Sequence, residues 1–272
     1  MVARPPIQNE SEILANLIAP GSLIVDVGST QGAFFSSFLG AGCSIISIEP
    51  NLRNVLFQHS RFSSEVETGR LTIYHQGCSD VHEERTLHIN DDFEGRLSSF
   101  DELWKANFPE AFANGLEEIH HLVPRRELLH PHLIHARVPF GLLKVETDGF
   151  DLKILRGYFT NRGALPIPKA VLFGICAHHD LANNAQYCVD LLAQLRFDRF
   201  RLFVHRGVAT LADSAWLTHP QLARYNFTRI NDSFPFDGAG FRRATVLATS
   251  SIHLAERQLF RGQLQREVAE HA

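Results

Sequence analysis

Few cysteines, a single methionine, no long apolar run and no excess of basic charge characterise this chain of 272 residues. The four cysteines, Cys43, Cys78, Cys176 and Cys188, include no C-x-x-C pair and are too sparse for a disulfide scaffold, so free thiols are expected. No stretch approaches the apolar length that spans a bilayer, and residues 1–10 are polar and lack the apolar core of a secretory signal. A cytoplasmic protein is the resulting expectation. The formal net charge of −4 and pI of about 6.4 give no basic surplus, so nucleic acid is not an expected partner. Internal repeats are absent as well. With 44% hydrophobic residues, 21 of all residues being phenylalanine, the chain can bury one large core, and a single domain over 1–272 is expected.

Short apolar runs alternate with helical patterns through most of the chain. Residues 11–19 read as a leading helix ending at Pro20-Gly21, and Ser22 to Val25 as the first strand. Phe34, Phe35, Phe38 and Leu39 mark a helix face, Ser44 to Ile48 a second strand, Leu52, Val55 and Leu56 a further helix face, and Leu71 to Tyr74 a third strand. Regularity weakens over 81–136, read as an insertion capping a site, with a strand at Thr86 to Ile89 and a helix from Asp101 to Asn114. It returns with strands at Phe140 to Val145, Ala170 to Cys176, Phe200 to Val204 and Ala244 to Ala248, separated by helices. The pattern predicts an α/β fold, a doubly wound and mainly parallel seven-stranded sheet of Rossmann-like type. The stretch 250–272 reads as a C-terminal amphipathic helix that packs on the sheet or, less commonly, pairs with a second copy in a homodimer.

The first strand runs into Val25-Asp26-Val27-Gly28-Ser29-Thr30-Gln31-Gly32, and the second ends in Ile48-Glu49-Pro50-Asn51. Glycines at a strand-to-helix turn let the backbone approach a ligand, and an acid at the end of the second strand stands where doubly wound folds bond a ribose. The loop has G-x-x-x-G rather than the G-x-G-x-x-G of dinucleotide sites. Asp26 just before it would repel a diphosphate. A ligand with a sulfonium and a free amine, S-adenosylmethionine (SAM), fits both features.

A second motif is Leu142-Leu143-Lys144-Val145-Glu146-Thr147-Asp148-Gly149-Phe150-Asp151-Leu152-Lys153-Ile154-Leu155-Arg156-Gly157. With the glycine loop, Glu49-Pro50-Asn51 and Ser98-Ser99-Phe100, it resembles the FkbM family of SAM-dependent class I methyltransferases over roughly residues 20–180. That family typically shows D-V-G-A-N-x-G, then F-E-P, then L-K-I-D-V-E-G-x-E-x-x-V-L-x-G. The resemblance implies cofactor contacts from Asp26, Gly28, Ser29, Thr30 and Gly32, from Glu49, Pro50 and Asn51 on the ribose side, and from Gly77, Cys78 and Ser79 on the adenine side. It also implies O-methylation of a hydroxyl on a sugar, a glycan precursor or a secondary metabolite. Three departures stand out. Thr30 replaces the usual Asn, Glu146 and Asp148 appear in swapped order, and Arg125 to Leu129 only loosely resembles the family's T-L-D-D-L. N-methylation, or a degenerate fold that binds SAM without catalysis, are the alternatives.

Methyl transfer is an in-line displacement that needs the acceptor held opposite the sulfonium and, for a neutral acceptor, a base. Lys144, Glu146 and Asp148 alternate along a strand and are expected on one face, with Lys144 and Glu146 as mutual partners. Glu146 is the favoured catalytic residue, as base or as acceptor-positioning carboxylate. Lys144 reads as a structural ion pair more readily than a catalytic group, and Asp148 is equally a helix N-cap or a site residue. His178, with His179 and Asp180 beyond the strand ending at Cys176, is a candidate base. A divalent metal is not favoured, because neither that run nor His120, His121, His130, His132 and His135 has metal-ligand spacing.

Overall fold

The computed structural model describes residues 10–90, 98–107, 109–134, 137–160, 163–175, 182–206, 209–212, 216–223 and 244–258. The chain opens with α1 (Glu10–Leu17), β1 (Leu23–Val27), α2 (Phe35–Gly40), β2 (Ser44–Glu49), α3 (Leu52–Arg61), α4 (Ser63–Glu67) and β3 (Leu71–His75). Then come β4 (Cys78–Ser79), β5 (Glu83–Ile89), α5 (Glu102–Asn107), a 3-10 turn at Pro109–Phe112, β6 (Leu116–Pro124) and α6 (Arg125–Leu133). The second half contains β7 (Phe140–Val145), α7 (Asp151–Phe159), β8 (Ala170–Ile175), α8 (Ala182–Gln194), β9 (Arg199–Arg206), β10 (Ala209–Ala212), α9 (His219–Leu222) and β11 (Ala244–Thr249).

The main sheet runs β10-β9-β11-β8-β7-β1-β2-β3. From β3 to β8 every pairing is parallel, and β11 lies antiparallel between β8 and β9. Seven strands form the doubly wound core, and β10 extends its edge through an antiparallel pairing with β9. This is the expected Rossmann-like arrangement, and its strand order is that of class I methyltransferases. All five residues of β1 and all six of β7 are buried, as central parallel strands covered on both faces require.

Residue parity sorts the core into two layers. Val25, Val27, Leu143 and Val145 face one side, where Leu129, Ile154, Leu155, Tyr158 and Val189 of α6, α7 and α8 cover them. Ile24, Ile45, Leu142 and Leu172 face the other, under Ile13, Leu14, Phe35 and Phe38 of α1 and α2. The chain leaves β1 toward β2 and β3, then returns at β7 to build the opposite half of the sheet. That reversal point between β1 and β7 is where doubly wound folds bind ligands, beyond the carboxyl ends of the strands.

Three expectations change at the level of elements. Residues 81–136 are more regular than their sequence suggests, because β5 and β6 pair antiparallel and β4 joins β6 in a second, three-stranded sheet. The strand signal was hidden on β6 because its regular alternation places Glu118 and His120 on the inward face with Leu122 and leaves Ile119 outward and 70% exposed. The helix expected over 101–114 is α5 followed by the 3-10 turn, separated by residue 108, outside the described residues. Helix α3 is inverted relative to its apolar pattern. It buries Asn54, Val55 and Gln58 and leaves Leu52, Leu56 and Phe57 on the surface. At the C-terminal end, residues 251–258 are helical; His253 bonds the Leu17 carbonyl at 3.1 Å, and Leu254 packs with α1 and α2. The rest of the expected terminal helix lies outside the described residues.

Candidate functional site

A cleft lies at the reversal point. Val27 and Gly28 end β1, Ile48, Glu49 and Pro50 end β2, and Gln76, Gly77 and Cys78 follow β3. Glu146, Thr147 and Asp148 follow β7, and Leu87, Ser98, Ser99, Phe100, Phe150 and Ile154 complete the wall. The second sheet supplies Leu87, and Phe100 is held against Phe150 with ring centroids 5.8 Å apart. The result is an apolar slot with a carboxylate at each rim.

The glycine loop is shaped by close approach. A Cβ on Gly28 would lie 2.0 Å from the Glu146 carbonyl oxygen, so only glycine lets β1 and β7 converge here. Thr30 has φ of +49°, left-handed backbone that a β-branched residue adopts only under strain. Gln58 holds it there from α3. Its amide donates to the Ser29 hydroxyl at 2.9 Å and to the Thr30 carbonyl, and its carbonyl accepts from Ser47 at 2.7 Å. Ser29 and Ser47 also bond each other at 2.7 Å.

Glu49 is fixed by three donors. Oε2 accepts from the Thr30 amide at 2.8 Å, while Oε1 accepts from the Asn51 amide at 3.0 Å and from Asn54 Nδ2 at 3.4 Å. Of about four lone-pair directions on a carboxylate, one on Oε2 remains for a ligand hydroxyl. Burial pushes the Glu49 carboxyl up to about 7, with the three hydrogen bonds pulling the other way.

Lys144 forms an ion-pair bridge, reaching Asp26 Oδ1 at 2.9 Å and Glu146 Oε2 at 2.8 Å. Burial opposes its charge, but the two carboxylates outweigh it and hold the ammonium well above the ordinary lysine range. Burial raises Asp26, and Lys144 counteracts it. The expected pairing of Lys144 with Glu146 is present, and Asp26 is a third member. Lys144, Glu146 and Phe34 also line a second cavity with Glu10, Ser11, Ser37 and Phe38, which shares Thr30 and Glu146 with the cleft.

Of the expected cofactor residues, Gly28, Thr30, Glu49, Pro50, Gly77 and Cys78 line the cleft. Asp26 instead faces Lys144 beneath the other face of the sheet. Ser29 is turned into the Gln58 network, and Gly32 packs under Phe35 and Phe62. Asn51 caps α3 by accepting from the Arg53 amide at 3.0 Å, and Ser79 bonds Asp80 and Glu83. Asp148 is not an N-cap. Helix α7 begins at Asp151 with Phe150 as its cap residue, whereas Asp148 has φ of +50° and borders the cleft. Its backbone thereby leaves the strand alternation expected to align it with Lys144 and Glu146. His178, His179, Asp180, His135 and Cys176 lie outside the described residues. Among the described residues no group of three or more His, Cys, Asp and Glu side chains could hold a metal ion. His120 lies edge-on to Phe100 and His75, and His132 bonds Tyr74.

Sequence reasoning missed Asn54, Gln58 and Glu10. The first two carried a signal, polar residues at i and i+4 flanking Val55, which reads as a surface stripe unless the strand ends are known to need donors.

Fold and cleft together define the chain as one with class I methyltransferase architecture. No protein-family model and no curated protein matches the chain. Among solved structures it is similar to an rRNA methylase from Streptococcus thermophilus, at 10% identity, covering 92% of this chain and 99% of that one, with a TM-score of 0.43. It is also similar to a SAM-dependent O-methyltransferase from Thermotoga maritima, at 11% identity over 92% and 67%, TM-score 0.41. A precorrin-6y C5,15-methyltransferase from Geobacter metallireducens follows at 10% identity over 89% and 86%, TM-score 0.39. The expectation that nucleic acid is no partner gains no support from them. Among the described residues no helix is long and apolar enough to cross a membrane.

Proposed function

We propose that the protein is a SAM-dependent methyltransferase of FkbM type, acting in the cytoplasm on a hydroxyl of a sugar, a glycan precursor or a secondary metabolite. The observation that carries this reading is Glu49, whose carboxylate is aligned by the Thr30 and Asn51 amides at the rim of an apolar slot. Its remaining lone pair suits a ribose hydroxyl, and Val27, Ile48, Leu87, Phe100 and Ile154 offer the flat apolar contact an adenine needs. Bound SAM supplies an electrophilic methyl group on a sulfonium.

The chain's own part is positioning and proton management. Gly28 and Thr30 fix the loop, and Glu146 places a carboxylate at the edge where acceptor and cofactor meet. Lys144, held protonated, ties β7 to β1 and neutralises Asp26 and Glu146 rather than accepting a proton. The small sheet of β4, β5 and β6 acts as a cap that shuts water from the slot, and 81–136 is its domain-level counterpart. Calorimetric titration with SAM and S-adenosylhomocysteine tests the reading. Micromolar binding that Glu49→Ala weakens by roughly tenfold or more is expected, the loss of a charge-assisted bond. No binding by the unaltered protein would sink it.

A further inference from the structure

Strand β3 ends the main sheet at the edge opposite β10, and β2 is its one strand partner among the described residues. The Ile45 amide donates to the Arg70 carbonyl at 2.8 Å and the Gln76 amide to the Glu49 carbonyl at 3.1 Å, so the even-numbered residues of β3 face β2. Alternation then directs the N–H and C=O groups of Leu71, Ile73 and His75 outward. Natural edge strands are shielded by lysine, proline or a bulge, and β3 has none of these. It reads Leu-Thr-Ile-Tyr-His, rich in strand formers, and holds unbroken register with β2.

The helices over this edge are exposed in a matching way. Helix α3 packs on β2 and β3, and α4 packs on β3. Because Asn54 and Gln58 take the inward face of α3, Leu52, Leu56 and Phe57 turn to solvent, with Leu56 59% exposed. Helix α3 carries Arg53, His59 and Arg61 and no acid, whereas α4 carries Glu65 and Glu67 and no base. Glu65 is bonded to Arg70 at 3.4 Å, while Glu67 is exposed and makes no ion pair among the described residues.

We propose that this edge pairs with the β3 edge of a second copy, the two strands running antiparallel about a two-fold axis through Ile73. The outward set is symmetric about that residue. Ile73 meets its own counterpart and Leu71 meets the partner's His75, each as a hydrogen-bonded pair, so the outward amides and carbonyls of all three residues find partners. Leu56 and Phe57 stand mid-helix as Ile73 stands mid-strand, so the two α3 helices, also antiparallel, bring their apolar residues toward the axis. The charges match as well. Helix α3 begins at the carboxyl end of the parallel β2 and β3 pair, and α4 precedes β3 at its amino end. Antiparallel pairing therefore sets the first turn of one α3, with Arg53, beside the acidic α4 of the other copy. One short strand with one flanking helix layer makes a small interface, which sets the expected dissociation constant in the micromolar range. The pairing lies beside the slot, because β3 continues into Gln76, Gly77 and Cys78 of its wall and the His75 ring bonds the Pro50 carbonyl at 2.8 Å.

Sedimentation equilibrium of the full chain between about 1 and about 500 µM should show monomer and dimer in exchange. Amide hydrogen exchange by NMR over the same range supplies the specific readout. The Thr72 and Tyr74 amides, bonded to β2, should be protected throughout, whereas those of Leu71, Ile73 and His75 should gain protection only as the dimer forms. Leu56→Glu, at an exposed position outside the core, should weaken the dimer roughly tenfold or more, and Glu67→Lys about threefold at low salt. His75→Pro removes an outward N–H, leaves the β2 ladder intact and should abolish the dimer. A monomer at every concentration, a dimer whose three outward amides exchange as fast as in the monomer, or a dimer indifferent to both Leu56→Glu and His75→Pro would each overturn the proposal. Protection of those amides in a monomer, which would place a strand of the same chain on the edge, would overturn it too. So would capture of a chain that never dimerises by phosphatidylglycerol vesicles in a manner lost in Leu56→Glu, since the face would then belong to lipid.

Discussion

Replacing Gln58 with methionine keeps the side-chain volume of a fully buried position and removes only its polar ends. Gln58 bridges three elements, because α3 carries it to Ser47 on β2 and to Ser29 and Thr30 in the loop after β1. In Gln58→Met the two serine hydroxyls keep each other at 2.7 Å, so one hydroxyl hydrogen and the Thr30 carbonyl are left without partners. Each buried orphan costs about 1–3 kcal/mol, and the two together predict a loss of about 2–6 kcal/mol in unfolding free energy. The consequence for function follows from Thr30. Its left-handed backbone is unfavourable for threonine, so release of its carbonyl lets the loop relax and withdraws the Thr30 amide from Glu49. Urea unfolding followed by circular dichroism measures the first effect, and calorimetric titration with S-adenosylhomocysteine the second. The triple variant Ser29→Ala, Ser47→Ala and Gln58→Met should recover part of the stability, since it removes the orphaned hydroxyl without stranding the other serine. A loss below about 1 kcal/mol with unchanged ligand affinity would refute the idea that α3 clamps the loop through its polar face.

Thr30→Asn should raise stability by about 1 kcal/mol, because asparagine tolerates the left-handed region that threonine resists, and a melting temperature no higher than the parent's would count against strain at this position. The buried acids Glu10, Glu49 and Asp151 are each pushed up to about 7, chiefly by burial. The folded state therefore holds protons that the unfolded chain gives up from about pH 4.5 onward, so their stabilising effect is full below that and is lost as pH rises through 7. Each contributes a slope of up to about 1.4 kcal/mol per pH unit. Urea midpoints of the parent and Glu49→Gln, compared between mildly acidic and mildly alkaline buffer, should show a smaller decline in the variant; parallel declines would refute the Glu49 assignment. SAM affinity should rise over the same window, since a ribose hydroxyl donates to the ionised carboxylate. Arg125 is fully buried, stacked 4.4 Å above the Tyr158 ring centroid, and its three guanidinium nitrogens find no hydrogen-bond acceptor among the described residues. Arg125→Met should accordingly be neutral or stabilising by up to about 2 kcal/mol, and a large loss in urea unfolding would show that the guanidinium has a compensating partner.

Much of the sheet was legible because parallel strands buried on both faces appear as unbroken apolar runs, as in Leu23 to Val27 and Phe140 to Val145. The glycine loop and Glu49 were legible for a similar reason, since a turn this tight restricts residue type more than an ordinary loop does. The antiparallel β5 and β6 were not, because their faces mix glutamate, histidine and an exposed Ile119. Helix α3 misled for a physical reason. Its apolar residues lie outward, because the inward face must supply donors and acceptors to the polar ends of β1 and β2.

Asp26 shows how far linear proximity to a motif can mislead. It precedes Gly28 by two residues, yet β-strand parity sends it to the opposite face from Val27, and the register sets it beside Lys144. The same parity sends Lys144 to the face opposite the one on which Val145 joins Val27, Ile154 and Leu155 in the core. A single row of charges, Asp26, Lys144 and Glu146, therefore runs along the face of the second cavity and meets the slot only where the strands end and alternation stops. Glu146 is at that point, and the loop carrying Thr30 is its counterpart across the gap. The slot and the second cavity thus lie on opposite faces of the sheet and share only Thr30 and Glu146, residues beyond the strand ends, where backbone direction is set by Gly28 and by the left-handed Thr30 and Asp148.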